Sequence, residues 1–170
     1  MKNKFFVFIS LLLSLIVFAG CGYKPTTSIA KHTIGGKVFI DVKIDVQNLN
    51  NSILIKDALI NIIASKLDVE IVKDKNLATT SIYGELKSVS EIAMDTDLAG
   101  YTKVYRENVI VYISYVGIDK KVRNFTVSNY YDFVISDDSV VTQSKKEEAI
   151  KLAINKALSD VFSKIAIHSL

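Results

Sequence analysis

One cysteine, two histidines and no tryptophan limit the chemistry open to this 170-residue chain. Cys21 has no second cysteine with which to form an internal disulfide. Together with His32 and His168 it cannot fill four tetrahedral metal positions unaided. Sequence order alone does not decide a Ser-His-Asp arrangement, and solvated side chains are the ordinary reading of both histidines. Asp95-Thr96-Asp97 and Asp137-Asp138 are acids in turns without the glycine and distal glutamate of an EF-hand loop. The seven glycines are scattered and form no phosphate-cradling loop. No catalytic residue, metal or cofactor is expected, and the chain reads as a binding or structural protein, not an enzyme.

Two other groups of side chains are candidates for recognition. Seven of the eight tyrosines lie between Tyr83 and Tyr131. Tyrosine joins a large apolar body to a wet end and is favoured at interfaces, although its shape alone also suits strands. Tyr105, Tyr112, Tyr115, Tyr130 and Tyr131 form the candidate partner surface. Basic residues group around the same segment: Lys103 and Arg106 at its start, then Lys120, Lys121 and Arg123. They are candidates for contact with phosphates or carboxylates, which the guanidinium fork matches in geometry. A solvated surface is the commoner explanation of such a group.

The segment ahead of Cys21 is a different material. Lys2 and Lys4 precede an apolar run from Phe5 to Gly20. Sixteen residues are short of the roughly 20 a bilayer span needs. A positive head, an apolar middle and small residues before a break are the parts of a secretory signal peptide. Phe18-Ala19-Gly20-Cys21 resembles the lipobox of bacterial lipoproteins, with Phe18 where leucine is usual. That resemblance implies a diacylglycerol on the Cys21 thiol and Cys21 as the mature N-terminus. Each acyl CH₂ buried in a membrane contributes about 0.8 kcal/mol. The expected division is therefore a lipoprotein signal peptide over 1–20, a lipidated N-terminus and tether over 21–36, and one domain over 37–170. Without residues 1–20, nineteen basic residues face eighteen acidic ones, a net charge of +1. Bulk charge thus gives no support to a nucleic-acid partner.

The elements that must position these residues follow from periodicity. Gly22 to Gly36 shows no period and holds the only proline, consistent with a tether. Val38 to Val46 alternates cleanly and predicts a strand. Ile55, Leu59, Ile62 and Ile63 recur at helical spacing within a helix over 53–67, capped by Asn51 or Ser52. Val69 to Asn76 reads as a short strand or an ordered connection. Ala78 to Ile92 reads as a long strand, its apolar side switching near Val89 as a bulge would require, and 94–100 as a polar turn. Thr102–Gly117 and Lys121–Ile135 are the arms of a hairpin tipped by Ile118-Asp119-Lys120, long enough to project. Ser144-Lys145-Lys146-Glu147 has the form of a capping box. It opens a helix whose apolar side runs from Ile150 through Ile154, Leu158 and Phe162 to Ile165. The order β-α-β-β-β-α calls for a right-handed crossover followed by a meander. It predicts an α+β two-layer sandwich, two helices packed on one face of a mixed four-stranded sheet.

FAGCGYKP at the lipidation site, this element order, the hairpin opening AGYTKVYRENVIVYISY and the terminal helix SKKEEAIKLAINKALSDVFSKI together resemble the LPS-assembly lipoprotein family (LptE). The likeness covers essentially the whole chain from Cys21 onward. It implies a non-enzymatic lipoprotein, anchored in the outer membrane on its periplasmic side, that plugs the β-barrel LptD and assists its assembly. It further implies binding of lipopolysaccharide and its delivery to the outer leaflet. Gly22, where an aspartate would signal retention in the inner membrane, agrees with export outward. No motif transfers a lipopolysaccharide-binding residue to a numbered position. The same anchor and element order also fit an outer-membrane lipoprotein with another partner, a pilotin or an activator of a periplasmic enzyme.

Overall fold

In β1 (Lys37–Val42), Val38, Ile40 and Val42 are buried while Lys37 and Asp41 are exposed, as a two-residue period demands. The computed structural model describes residues 26–43, 49–96, 98, 100–135 and 141–168, so Ile44 and Val46 of the expected longer strand lie outside the described residues. β1 is flanked by parallel partners on both sides. Lys37 pairs with Glu70 in β2 (Glu70–Val72), and Val38 through Val42 pair with Thr80 through Gly84 in β3 (Thr80–Thr96). Helix α2 (Leu49–Leu67) carries the chain between these parallel strands. β4 (Thr102–Val116) and β5 (Val122–Val134) then add antiparallel, giving the order β2-β1-β3-β4-β5.

The two-layer α+β architecture is therefore as the sequence predicts, with five strands instead of four. β2 has only three residues, too few for any period to show. Helices cover one sheet face. Ile55, Leu59 and Ile63 of α2 and Ile154 and Leu158 of α3 (Gln143–Ser159) join Ile82, Val111 and Ile113 of the sheet in a single apolar core. Full burial of each such side chain contributes about 1.5–3 kcal/mol. Gly84 lets α2 approach closely: a Cβ there would meet Leu59 Cδ1 at 2.9 Å and Val42 Cγ2 at 3.4 Å.

The expected tether is corrected by α1 (Thr26–Ile34), a helix with Ala30 and Ile34 fully buried. It packs on α2 and on α4 (Val161–Ile167). The boundary placed between residues 36 and 37 thus falls inside the packed domain. With two inward residues four apart in nine, the helix depends on tertiary burial and carries no readable stripe. Gly36, at φ +88°, turns the chain into β1, where a Cβ would lie 2.7 Å from Thr79 Oγ1.

The terminal helix is also divided. Ser159 Oγ donates to Lys156 O at 2.6 Å, and Asp160 N–H donates to Ala157 O at 3.3 Å, closing α3 before α4 begins. Both halves still present one buried side, including Leu158, Phe162 and Ile165. The N-cap is Thr142 and not Ser144: Thr142 Oγ1 accepts from Lys145 N–H at 3.3 Å.

The hairpin arms fall where the Val, Ile and Tyr density of the first and the alternation of the second put them, paired from Val104–Val134 to Val116–Val122. Its tip does not project. Ile118 N–H donates to Thr33 O at 3.0 Å, and Lys120 Nζ to Thr79 O at 3.3 Å, tying the tip to α1 and to the start of β3. The end that reaches past the helices is the opposite one. There β3 continues to Thr96, and Ser90–Thr96 is exposed along both faces. The register shift between Leu86 and Ser88 is the bulge that the apolar switch near Val89 implies. Among the described residues no helix is long and apolar enough to cross a membrane.

Candidate partner surface

The sheet face away from the helices is built by the even positions of β4 and β5. On β3 it is built by odd positions before the bulge and even positions after it. The pairing aligns these residues in rows across three strands: Ser88–Ile110–Ser128, Ser90–Asn108–Tyr130 and Ile92–Arg106–Asp132. Ile110, Ser128, Ser90, Asn108, Tyr130 and Ile92 of these rows line a shallow trough of about 680 Å³, walled by hydroxyls, amides, two isoleucines and a tyrosine. Asn124 and Thr126 continue the uncharged polar character along β5 and are exposed.

The candidate tyrosines divide between the two faces. Tyr112 and Tyr130 lie on the open face, Tyr130 43% exposed. Tyr115 is 1% exposed and belongs to the core, edge-on to Phe125 with ring centroids 6.1 Å apart. It is thereby removed from the partner surface, because its odd position on β4 turns it toward the helices. Tyr105 and Tyr131 share that side. Tyr105 stacks on Phe133 at 5.7 Å, and Tyr131 packs against the core beside a cavity of about 200 Å³ with Lys145 and Leu152.

The five basic candidates are not brought together. Nine strand positions separate Arg106 from Tyr115, the residue paired with Arg123. At about 3.3 Å per residue that is roughly 30 Å. Both arginines are engaged with carboxylates. Arg106 grips Asp132 through Nε–Oδ1 (2.7 Å) and Nη2–Oδ2 (2.8 Å). Arg123 grips Asp119 through Nη1–Oδ1 (3.0 Å) and Nη2–Oδ2 (2.7 Å), and its Nε donates to His168 O at 2.9 Å. These hydrogen bonds raise both guanidinium pKa values and hold the Asp119 carboxyl down at about 2. Lys120 sits at φ +62° in the tip, Lys121 is exposed beside it, and Lys103 lies at the far end, where its carbonyl accepts from Ile135 N–H at 2.9 Å.

Elsewhere on the open face, Glu85 accepts from Lys43 and Lys87, each at 2.8 Å, and these bonds lower its carboxyl pKa. The face is consequently near charge balance, and the trough itself is uncharged apart from the Arg106–Asp132 pair at its rim. Sequence reasoning misses the two aspartates that neutralise the arginines. Asp119 stands four residues before Arg123, a visible spacing, whereas Asp132 meets Arg106 only through the strand register. His32 is exposed on α1, and His168 stacks on Phe125 at 5.8 Å.

No protein-family model and no curated protein sequence matches the chain. Its likeness to known proteins is structural. Rare lipoprotein B from Shewanella oneidensis superposes with a TM-score of 0.54 at 14% identity, covering 78% of this chain and 95% of that one. The chain has a fold similar to that of rare lipoprotein B. Lipoprotein B from Nitrosomonas europaea gives 0.51 at 10% identity, covering 88% and 93% of the two chains. A homologue of a neuraminyllactose-binding hemagglutinin from Helicobacter pylori gives 0.51 at 14% identity, covering 81% and 88%. At such identities the shared property is the fold, and function must be argued from the surface the fold presents.

Proposed function

We propose that the protein is an outer-membrane lipoprotein, anchored through Cys21 on the periplasmic side, that plugs and assists the assembly of the β-barrel LptD in lipopolysaccharide transport. The observation that carries the reading is the fold, which superposes 78% of this chain on 95% of rare lipoprotein B. The order of the chain supports it. Cys21 lies five residues before α1, so an acyl group there would hold the domain close to the membrane surface.

The open sheet face supplies a surface suited to that partner. Side chains lining the interior of outer-membrane barrels are polar. A wall of serine, asparagine and threonine hydroxyls and amides, with Tyr112, Tyr130 and Ile110 among them, can dock there without burying an unpaired charge. The role asked of the chain is positioning and not catalysis, and lipoproteins are among its structural neighbours. Lipopolysaccharide contact would fall to the exposed lysines, since both arginines already hold carboxylates.

Affinity purification of the tagged protein from detergent-solubilised outer membranes tests the proposal. Recovery of one large barrel protein in equimolar amount is expected. Recovery of a secretin or a cell-wall synthase instead would assign the same anchored domain to a pilotin or to an enzyme activator.

A further inference from the structure

The helix-facing side of β4 carries one acid in a row of apolar and aromatic side chains. Glu107 is 3% exposed and continues the inward series of Val109, Val111, Ile113 and Tyr115. Its register partner on β3 is another acid, Glu91. Residues directly opposite in an antiparallel pair have Cβ atoms about 4.5–5.5 Å apart, where like charges repel. The cation that reaches them comes from the other layer. Lys146, in the first turn of α3, places Nζ 3.0 Å from Glu91 Oε1 and 2.8 Å from Oε2. On the β5 side, Glu107 is paired with Tyr131, whose ring lies 5.0 Å from Lys156 Nζ, and Tyr105 adds a phenol on β4.

We propose that Glu107, Glu91 and Lys146 form a proton-operated latch between the first turn of α3 and the far end of the β3–β4 ribbon. The latch is closed when Glu107 is protonated and loosened when it ionises.

In the closed state the Glu107 carboxylic acid hydrogen-bonds to the Glu91 carboxylate, which accepts from Lys146 through both oxygens. One negative and one positive charge cancel. In the ionised state two carboxylates, Glu107 among them 3% exposed, share one ammonium, and one charge is uncompensated. Relief requires Glu91 or Lys146 to swing outward. The exposure of Ser90–Thr96 on both faces leaves the ribbon free to do so.

Burial first, then the Glu91 charge and its hydrogen bond, raise the Glu107 pKa from 4.5 to about 7, against the opposing pull of Lys146. An acid whose pKa is raised by folding binds its proton more tightly in the folded state. Its contribution is therefore largest at low pH, falls as pH rises from about 4.5 to about 7, and levels off above. The inference is independent of the partner proposed above.

Hydrogen exchange on the full chain in detergent micelles tests the latch at pH 6 and pH 8, with each amide corrected for its intrinsic rate. Protection of Glu147–Ile150 and of Ser90–Ile92 is expected to fall about tenfold between the two pH values. In Glu107→Gln, a neutral isostere, it should not change. An equal fall in the variant, or no fall in the parent protein, would overturn the proposal. The carboxyl ¹³C titration of Glu107 in the unaltered protein is a second reading that needs no variant. A midpoint near 7 supports the latch, and one near 4.5 refutes it.

Discussion

Arg106 and Asp132 face each other directly across the β4–β5 ladder, joined by two hydrogen bonds of 2.7 and 2.8 Å, with the guanidinium carbon 3.7 Å from the centroid of the Tyr130 ring. The fork and the stack fix the arginine against Tyr130, which lines the open-face trough. Its charge is spent on Asp132, so a residue that reads in the sequence as an anion contact is here an element of shape.

Replacing Asp132 with Asn should return that charge to the surface. Binding of lipopolysaccharide micelles, followed by light scattering at low ionic strength, is expected to be stronger in Asp132→Asn than in the unaltered chain. The difference should shrink as salt is added, because exposed charges are screened over about 10 Å at 0.1 M. Identical binding by the two proteins would show that Asp132 does not mask Arg106.

Arg123 and Asp119 form the corresponding pair at the hairpin tip, and there the role is structural. The Asp119 carboxyl is held at about 2 against an ordinary 3.8, chiefly by its hydrogen bonds from Arg123. A lowered acid stabilises the fold above its unfolded pKa and loses that contribution as pH falls through the folded value, here between about 3.8 and about 2. In Arg123→Gln the ¹³C midpoint of Asp119 should move up toward 3.8, and His168 O loses a donor. A midpoint that stays near 2 would show that the backbone at Lys121 alone sets it. Charge reversal at Arg123 is accordingly expected to lower the melting temperature, whereas reversal at exposed Lys121 should leave it unchanged.

Helix α1 gives a sharp contrast between a tether and a packed element. Ile34 is fully buried. Ile34→Ala should destabilise the domain by about 2–5 kcal/mol, the usual range for truncating a large core aliphatic. Urea denaturation measures this directly, and a loss below about 0.5 kcal/mol would return the segment to the status of a linker.

Cys21 carries the anchoring claim. Cys21→Ala is expected to leave the urea midpoint unchanged while the protein moves from the membrane pellet to the soluble periplasmic fraction. Sedimentation of the variant with membranes would contradict a lipid anchor at this position.

The parts of the fold that are legible in the sequence are those with enough residues to display a period. The first arm of the β4–β5 hairpin is dense in Val, Ile and Tyr and the second alternates, and the observed strands match the expected limits to within a residue. The bulge near Lys87 is visible as a change of phase. β2 is left open as a short strand or an ordered connection, because three residues hold no period, and α1 is not visible, because two inward residues in nine make no stripe. For the candidate site, alternation separates Tyr112 from Tyr115 and Tyr130 from Tyr131, but which face the helices take is decided by the whole core. Glu107 is in phase with Val109 and Val111, but its burial follows only once the helices are seen to take that face. Its meeting with Glu91 and Lys146 depends on strand register and on the placement of α3, neither of which a linear pattern encodes.

Site-specific photo-crosslinking in living cells tests the central claim most directly. A photoreactive residue at Ile110 or Thr126, on the open sheet face, should capture a barrel protein of the outer membrane, and the same residue at Lys151 on the outer side of α3 should not. Capture from Lys151 with none from Ile110 or Thr126 would contradict the account, since the partner would then grip the helical layer and leave the open sheet bare.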